Sequence, residues 1–305
     1  MSGGMKVVVG TRGSKLALTQ TQWVIHELEK HYPHVTFEIK VIKTKGDLIQ
    51  NKPLDKIGDK GLFTKEIEHE LLSGEIDFAV HSMKDMPSEL PEGLKFTVTP
   101  RREDARDALI LKEGYETLED LPQGATIAAG SKRRKYQLMA YRPDLNIVPI
   151  RGNVDTRLRK MEEQNLDGIV LAAAGLRRIG LGERITTYLP MHIMLPAPSQ
   201  GALAIEIRQG DAKIEELLQV LEDPISSIQI EAERAFMDAI NGGCHMPIGA
   251  YCEVEGTELR MVGLLGDEAG ELLVVKELSA HVGMERELGR ELAKVLRKEF
   301  RVHDR

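Results

Sequence analysis

The sequence is poor in several features that mark large classes of proteins. Only 4% of its 305 residues are aromatic, which argues against a surface on which nucleic-acid bases stack. Two cysteines are too few for a disulfide framework and indicate a reducing compartment. The net charge is -7, whereas proteins that bind nucleic acid are usually basic. With 42% hydrophobic and 29% charged residues, the composition is that of a soluble globular protein.

Long apolar segments are also missing. The longest apolar stretch, Ile169–Leu176, is far shorter than the roughly 20 residues that a membrane-spanning helix needs. The first six residues carry no apolar secretory segment. We therefore expect a cytoplasmic protein that binds neither membranes nor nucleic acid.

Strand and helix patterns alternate through the first two thirds of the chain. The strand patterns are Lys6–Gly10, Val35–Lys43, Ile76–Val80, Ala125–Ala129, Ile147–Ile150, Ile169–Ala173 and Gly201–Arg208. The helical patterns are Ser14–His31, the spacing of Phe63, Ile67 and Leu71, Lys132–Tyr141 and Val154–Gln164. This alternation predicts α/β architecture with βαβ units and largely parallel sheets.

Two segments look like hinges, and the C-terminal part changes style. The hinges are Pro100–Asp107 and Pro190–Pro198, and they enclose a unit of about ninety residues, near the usual lower size of a domain. Further on, Leu259–Leu264 and Leu272–Leu278 flank a glycine-containing turn and predict a hairpin, followed by a final helix. We expect a small α+β domain there.

Basic or hydroxyl side chains follow five of the predicted strands. They are Thr11–Ser14, His81–Asp85, Gly130–Arg134, Arg151–Asn153 with Arg157, and Arg177 with Arg178. Ligands of open α/β sheets bind at the carboxyl ends of strands, where helix N-termini favour anions. Residues 131–159 also contain eight basic and two acidic side chains. The pattern predicts a cleft for a polyanion, although any one of these side chains taken alone fits an ordinary solvated surface.

Two residues do not fit simple anion binding. Asp85 lies among the basic side chains, either as a helix N-cap or as a carboxylate that stabilises a cation and moves protons. Cys244 lies in a glycine-rich loop, where it is either a small buried residue or an attachment point for a cofactor or a nucleophile. Cys252 lies in a strand-like run and is expected in a core. Neither cysteine has metal-ligand spacing, so no metal is expected.

Several segments, in order along almost the whole chain, resemble the porphobilinogen deaminase family, also called hydroxymethylbilane synthases. They are Gly10–Ser14, Gly58–Phe63, Ala79–Pro87, Gly130–Arg134, Arg151–Leu158, Ala174–Arg178, Gln200–Ala202 and Gly242–Gly249. Any one is a weak signal. The segments His81–Asp85, Arg151–Val154 and Gly242–Cys244 are highly specific when they occur together.

The resemblance implies a fold and an activity. Two domains would resemble periplasmic binding proteins, the first formed by residues 1–101 and 201–220 and the second by 106–195. A third, α+β domain would span 223–305. The family's members are transferases of tetrapyrrole biosynthesis and carry a dipyrromethane cofactor. They join four porphobilinogen molecules to it head to tail with loss of ammonia, then release hydroxymethylbilane by hydrolysis. A monomer is the family expectation.

The resemblance also implies roles for individual residues. Cys244 would bind the cofactor by a thioether, and Asp85 would stabilise the cationic intermediate and move protons. Further cofactor contacts would come from Ser82, Lys84, Ser131, Arg133 and Arg134. Substrate contacts would come from Arg12, Ser14, Lys60, Phe63, Arg151, Arg157, Arg178 and Gln200. Lys60 and Phe63 would flank the site beneath residues 44–61, which form either a lid or a plain mobile loop.

Four residues depart from common family forms. Asp155 stands where Gly or Asn is common, and we expect it to face away from the substrate. Lys132 replaces a common Leu, Ser199 a common Gly and Lys45 a frequent Arg. Two other functions compete with the deaminase reading, namely a non-catalytic solute-binding module and a phosphate or nucleic-acid binder. The solute-binding module predicts a secretion signal or lipid anchor, of which the sequence gives no sign, and no covalent adduct. The phosphate or nucleic-acid binder predicts an affinity that falls steeply with salt and gives no reason for the Gly242–Cys244 loop.

Overall fold

The computed structural model describes residues 5–48, 64–240 and 246–303. The strands in these ranges are β1 (Lys6–Thr11), β2 (Thr36–Val41), β3 (Phe78–Ser82), β4 (Leu94–Phe96), β5 (Asp107–Leu111), β6 (Thr126–Ala129), β7 (Asn146–Pro149), β8 (Gly168–Ala172), β9 (Thr187–Tyr188), β10 (Leu203–Arg208), β11 (Ile248–Glu255), β12 (Glu258–Gly266) and β13 (Leu273–His281). The helices are α1 (Lys15–His31), α2 (Lys45–Leu48), α3 (Lys65–Ser73), α4 (Lys132–Tyr141), α5 (Val154–Glu163), α6 (Ala173–Arg178), α7 (Ala212–Leu218), α8 (Pro224–Ile240) and α9 (Glu285–His303).

The chain divides into two compact units. The first comprises residues 1–102 and 202–227, and the second comprises residues 103–201 and 228–305. The three domains expected from the family resemblance remain a prediction at the level of their boundaries. The predicted sites at Lys60, Phe63 and Cys244, and most of the predicted lid at 44–61, lie outside the described residues.

A five-stranded sheet forms the centre of the first unit. Its strand order is β2-β1-β3-β10-β4, with β1 parallel to both β2 and β3. Helix α1 covers one face, where Val24 and Leu28 pack with Phe78, Val80 and Ile205. On the opposite face a separate cluster joins α3 side chains to the sheet, and it contains Ile67, Leu71, Ile76 and Ala79. The period-two alternation of β3 therefore supplies both apolar layers.

The second unit contains a sheet with the same plan. Its order is β7-β6-β8-β5-β9, and β6 is parallel to β7 and β8. In each sheet the next strand is antiparallel, β10 beside β3 in one and β5 beside β8 in the other. The expectation of largely parallel sheets is therefore correct for four strands of each sheet, which run in one direction, and wrong for β10 and β5, which run against their neighbours. Strand β10 is distant in the chain from β3, and β8 is distant from β5. These pairs are therefore not consecutive strands of a βαβ unit, whose crossover would make them parallel.

The last part of the second unit is an antiparallel meander covered by helices. Strands β11, β12 and β13 pair in sequence order, which confirms the predicted hairpin between β12 and β13. Phe236 of α8 and Leu292 of α9 pack in one core with Met261 and Cys252 of the sheet. The α+β expectation is confirmed for this region. Helices α7 and α8 and strands β4, β5 and β9 have no counterpart among the elements predicted from the sequence.

Candidate active site

The end of β1 presents a half-buried arginine and a capped helix. Arg12 follows the buried Thr11, and Ser14 is the N-cap of α1. The Ser14 hydroxyl accepts a hydrogen bond from the backbone nitrogen of Ala17 at 3.2 Å. Arg12 thus precedes the N-terminus of α1 by two residues, and the N–H groups of a helix N-terminus favour an anion.

The end of β3 carries the segment with Lys84 and Asp85. After Ser82 the chain makes one 3-10 turn over Met83–Asp85, with Met83 buried and both Lys84 and Asp85 exposed. Met83 donates its backbone N–H to the Ala202 carbonyl at 3.0 Å. Ser82 is the N-cap of this turn and Asp85 is its last residue. Asp85 is therefore not a helix N-cap, and its carboxylate is open to solvent at the strand end.

In the second unit, the end of β6 lies against Arg157. Ser131 is the N-cap of α4 and accepts from the Arg134 backbone nitrogen at 3.3 Å. A Cβ atom at Gly130 would lie 3.1 Å from Nη1 of Arg157, so the glycine leaves space for this guanidinium. Arg157 also donates from Nε to the Gly152 carbonyl at 2.6 Å, whereas Arg151 is exposed. The structure thus brings the side chains expected after β6 and β7 together at one edge of the sheet.

Arg133 and Arg134 are buried and share a single carboxylate, that of Asp107. Their exposures are 5% and 6%, and that of Asp107 is 0%. Nη1 of Arg133 lies 2.7 Å from Oδ2 of Asp107, and Nη2 of Arg134 donates to Oδ1 at 2.7 Å. Gln200 donates from Nε2 to the same Oδ1 at 3.1 Å. We call Asp107, Arg133, Arg134 and Gln200 the arginine cluster.

The arginine cluster carries more positive than negative charge. Burial alone would raise the pKa of Asp107, but the charges of Arg133 and Arg134 outweigh it and hold that pKa far below its ordinary value. Burial also lowers the pKa of Arg133, against the attraction of Asp107. Within this cluster of described residues, two guanidinium groups face one carboxylate, which is an excess of one positive charge. Such a charge is costly unless an anion pairs with it.

Asp107 is the residue of this site that the sequence analysis missed. The sequence pattern places Asp107 at the end of a polar hinge, whereas in the structure it begins strand β5 and pairs with Ala172 at the end of β8. Its position directly before the apolar run Ala108–Leu111 is the signal that was available. An aspartate that opens a buried strand needs cationic partners, and the sequence offers them at Arg133 and Arg134.

Arg178 extends the basic side of this unit. It ends α6 and donates from Nη2 to the Gly201 carbonyl at 2.7 Å. Burial lowers the pKa of its guanidinium to about 10. Gly201 has a φ of 90°, and a Cβ atom there would collide with the Glu103 carbonyl, so this turn requires glycine. Close packing of the two segments thereby fixes the carbonyl that Arg178 binds.

Two departures from the family pattern have a structural explanation. Ser199 has a φ of 63°, a left-handed conformation that glycine adopts more easily, which accounts for Gly being common there. Its backbone N–H donates to Oε2 of the buried Glu233 at 2.6 Å. Asp155 is exposed in the first turn of α5, where a negative charge is favourable. Nothing in the structure explains Lys132 or Lys45.

Cys252 is a buried cysteine of β11, as expected for a core residue. Its backbone N–H donates to Oε1 of Glu233 at 2.9 Å. In the described ranges, no group of three or more His, Cys, Asp or Glu side chains is arranged to hold a metal ion. Across the same part of the chain, no helix is both long and apolar enough to cross a membrane.

The turn between β12 and β13 packs on the helix that carries the two buried arginines. Tyr136 of α4 donates its hydroxyl hydrogen to the Glu268 carbonyl at 2.8 Å. Gly270, with a φ of 80°, lies against the Tyr136 ring so closely that a Cβ atom would collide with it. The C-terminal sheet therefore supports α4 on the side of Tyr136.

Two family models match the chain. The model described as "Porphobilinogen deaminase, dipyromethane cofactor binding domain" matches residues 7–216. The model described as "Porphobilinogen deaminase, C-terminal domain" matches residues 227–298.

Curated proteins named porphobilinogen deaminase are similar over nearly the whole chain. That of Clostridioides difficile is 60% identical over 296 residues, which are 97% of this chain and 98% of that protein. That of Clostridium novyi is 55% identical over 299 residues, which are 97% of this chain and 100% of that protein.

The solved structures to which the chain is similar are more distant in sequence. The periplasmic VFT2 domain (double mutant) of Bordetella pertussis BvgS is 17% identical, with a TM-score of 0.40, covering 76% of this chain and 91% of that one. A Salmonella typhimurium periplasmic binding protein with high arginine specificity is 12% identical, with a TM-score of 0.40, covering 73% of this chain and 94% of that one.

Proposed function

Because the chain belongs to the porphobilinogen deaminase family, we propose that it joins four porphobilinogen molecules head to tail, with loss of ammonia from each. It then releases the linear tetrapyrrole hydroxymethylbilane by hydrolysis. The protein is a transferase of tetrapyrrole biosynthesis with a dipyrromethane cofactor. When bound, dipyrromethane supplies the free pyrrole carbon to which the first porphobilinogen is joined.

The observation that carries this proposal is the excess positive charge of the arginine cluster. Each pyrrole of the substrate and of the cofactor bears an acetate and a propionate, so both are carboxylate-rich. A carboxylate is the anion that a planar guanidinium binds bidentately. The donor set of this unit, with Arg133 and Arg134 buried and Arg178 half-buried, therefore fits the group that the family carries.

We assign contacts with the cofactor and the substrate to the side chains that the sequence predicted for them, with the basic ones binding the carboxylates. The cofactor contacts are Ser82, Lys84, Ser131, Arg133 and Arg134. The substrate contacts are Arg12, Ser14, Lys60, Phe63, Arg151, Arg157, Arg178 and Gln200. Arg133 and Arg134 keep further N–H groups beyond those bonded to Asp107, because a guanidinium has five donors. One of these groups, on Nη1 of Arg133, donates to the Leu195 carbonyl at 2.6 Å, and Asp107 and Leu195 together hold this guanidinium in place.

Asp85 is the residue to which we assign the proton and charge chemistry. Its exposed carboxylate accepts hydrogen bonds from pyrrole N–H groups and stabilises the positive charge that develops as ammonia leaves. A fixed carboxylate is more effective than water in this role because it needs no reorganisation as the charge forms. Lys84, the preceding residue, holds a carboxylate of the cofactor.

Cys244 is the attachment point that we propose for dipyrromethane. In the sequence it lies between the end of α8 at Ile240 and the start of β11 at Ile248, among glycines. A thioether needs a thiol that the cofactor can reach. Cys252 does not meet this need, because it is fully buried in a core.

Intact-mass spectrometry of the purified protein tests the function and the attachment point together. The wild-type chain is expected to carry extra mass equal to one dipyrromethane and to convert porphobilinogen to hydroxymethylbilane. Cys244→Ser is expected to lose both the mass and the turnover, whereas the matched control Cys252→Ala keeps both. Full turnover by an unmodified wild-type chain, or by Cys244→Ser, would contradict the proposal.

Cytoplasmic location, a monomeric state and the absence of nucleic-acid binding remain predictions of the sequence. The absence of nucleic-acid binding is tested by titrating the protein with nucleic acid at several salt concentrations, since a nucleic-acid binder loses affinity steeply as salt rises.

A further inference from the structure

A buried acid–base pair lies directly below the strand end that carries Asp85. Nε2 of His81, on β3, is 2.9 Å from Oε2 of Glu206, on the antiparallel neighbour β10. The exposures of the two residues are 7% and 0%. In the described part of the chain, the other carboxylate oxygen of Glu206 has no hydrogen-bond partner. No role given above to any residue uses this pair.

The pair lies on the α3 side of the sheet, among apolar side chains. Glu206 is opposite Ala79 in the register, and Ala79 belongs to the apolar cluster with Ile67 and Leu71 of α3. Glu68 of α3 is also buried and interacts electrostatically with both members of the pair. Burial raises the pKa of Glu68, and the charge of Glu206 acts in the same direction. We call His81, Glu206 and Glu68 the acidic cluster.

The opposite face of the same strand end is fixed by a second polar contact. Ser82 points to the α1 side, where Nε2 of Gln20 donates to its hydroxyl oxygen at 3.0 Å. Because successive residues of a strand alternate in direction, His81 and Ser82 hold β3 from its two faces. The next residue, Met83, is bonded through its backbone to Ala202, just before β10. The turn with Lys84 and Asp85 thus begins from a strand end held on three sides.

We propose that His81 and Glu206 are positioning residues for Asp85. This inference rests on the proposed role of Asp85. An apolar pair would fill the same space at no electrostatic cost, since buried ion pairs are often replaced by hydrophobic residues without loss of stability. Contacts between apolar side chains do not depend on orientation, whereas a hydrogen bond does. The bond between Nε2 of His81 and Oε2 of Glu206 therefore fixes the distance and orientation of β3 relative to β10. A displacement of about 1 Å at a catalytic group costs about 100-fold in rate.

Three variants separate positioning from a purely structural role. Glu206→Gln keeps a hydrogen-bonding side chain of the same shape and is expected to lower kcat about 10-fold with KM within twofold. The double variant His81→Leu with Glu206→Met removes both polar groups together. It is expected to unfold within a few degrees of the wild-type temperature, to carry the dipyrromethane mass, and to lose about 100-fold in kcat. His81→Gln serves as a further polar single variant where Glu206→Gln does not fold.

The readouts distinguish the possible failures. If the double variant recovers both stability and wild-type kcat, the pair is structural only and the inference is wrong. If the polar single variant that folds keeps kcat within twofold, the inference is also wrong. A wild-type chain that lacks the dipyrromethane mass or does not consume porphobilinogen contradicts the proposed function instead. The expected result for positioning is a folded, loaded double variant with unchanged KM and low kcat.

Discussion

The two five-stranded sheets share one plan and bury opposite charge at corresponding places. In the first unit, β10 runs antiparallel beside β3, and the acidic cluster sets two carboxylates against one imidazole. In the second unit, β5 runs antiparallel beside β8, and the arginine cluster sets two guanidinium groups against one carboxylate. Each cluster lies where an antiparallel strand joins the parallel set.

The difference indicates a division of labour between the units. A buried excess of positive charge attracts an anionic ligand, which suits a unit that holds the acetates and propionates of a pyrrole chain. The His81–Glu206 pair is bonded within its own sheet, and we assign it to holding the strand end that carries Asp85. On these proposals, one sheet plan holds the ligand in the second unit and positions Asp85 in the first.

The largest change in stability is expected when the carboxylate of the arginine cluster is removed at Asp107. Asp107→Asn leaves two buried guanidinium groups without a counter-charge and should lower the free energy of unfolding by about 3–5 kcal/mol. Urea unfolding measures this loss. The matched control is Glu163→Gln, which removes an exposed carboxylate paired with Arg159 and should cost less than about 1 kcal/mol. Equal losses in the two variants would show that the arginine cluster does not depend on its carboxylate.

The next effect is expected at Asp85, in turnover rather than in stability. Asp85→Asn keeps the size of the side chain but removes its charge, and kcat of the loaded protein should fall by about 100-fold or more, equivalent to about 2.7 kcal/mol. Asp85→Glu keeps the charge at a displaced position and should be impaired less. Discontinuous assays of hydroxymethylbilane formation measure the kcat of both variants. Glu89→Gln, an exposed carboxylate nearby in sequence, is the control and should be unchanged. Near-normal turnover of Asp85→Asn would refute the assignment.

A smaller effect, of opposite sign in the two units, is expected with pH. The pKa of Glu68 is raised above its ordinary value of 4.5, so the folded chain binds this proton more tightly than the unfolded chain does. The contribution of Glu68 to the free energy of unfolding is therefore fully present below pH 4.5 and is lost as pH rises above it. The pKa of Asp107 is lowered, so its contribution is fully present at neutral pH and is lost only below the ordinary carboxyl range, at about pH 4. The free energy of unfolding of the wild type minus that of Glu68→Gln should therefore increase as the pH falls from 7 toward 4.5. A difference that stays constant over that range would contradict the assignment.

Local patterns predicted the parallel core of both sheets and the helices beside it. The helical pattern at Lys132–Tyr141 matches α4 at both ends, and Ser14 and Ser131 lie at the helix N-termini that the strand ends predicted. These elements are fixed by periodicity and capping, which are properties of neighbouring residues. The antiparallel strands β5 and β10 were not predicted as such, because their partners are distant in sequence.

The chemistry of the site was predicted less completely, for the same reason. The sequence predicts Arg133 and Arg134 as anion-binding side chains but does not show that both are buried against Asp107. That arrangement depends on α4 turning its charged residues inward, toward β5, which precedes β6 and α4 in the chain. The His81–Glu206 pair likewise joins residues on strands that only the register brings together. Long-range pairing, rather than residue type, decided which charges lie inside.

The contact between Gly270 and the Tyr136 ring has a consequence for interpreting sequence variants. The glycine is remote in sequence from every residue that we assign to the substrate, and it lies in a surface turn of the smallest sheet. Any larger amino acid there would push on the aromatic ring and, through the helix, shift both guanidinium groups. A missense change at this turn would therefore be expected to behave as an enzyme-activity defect, although its location alone would suggest a harmless polymorphism.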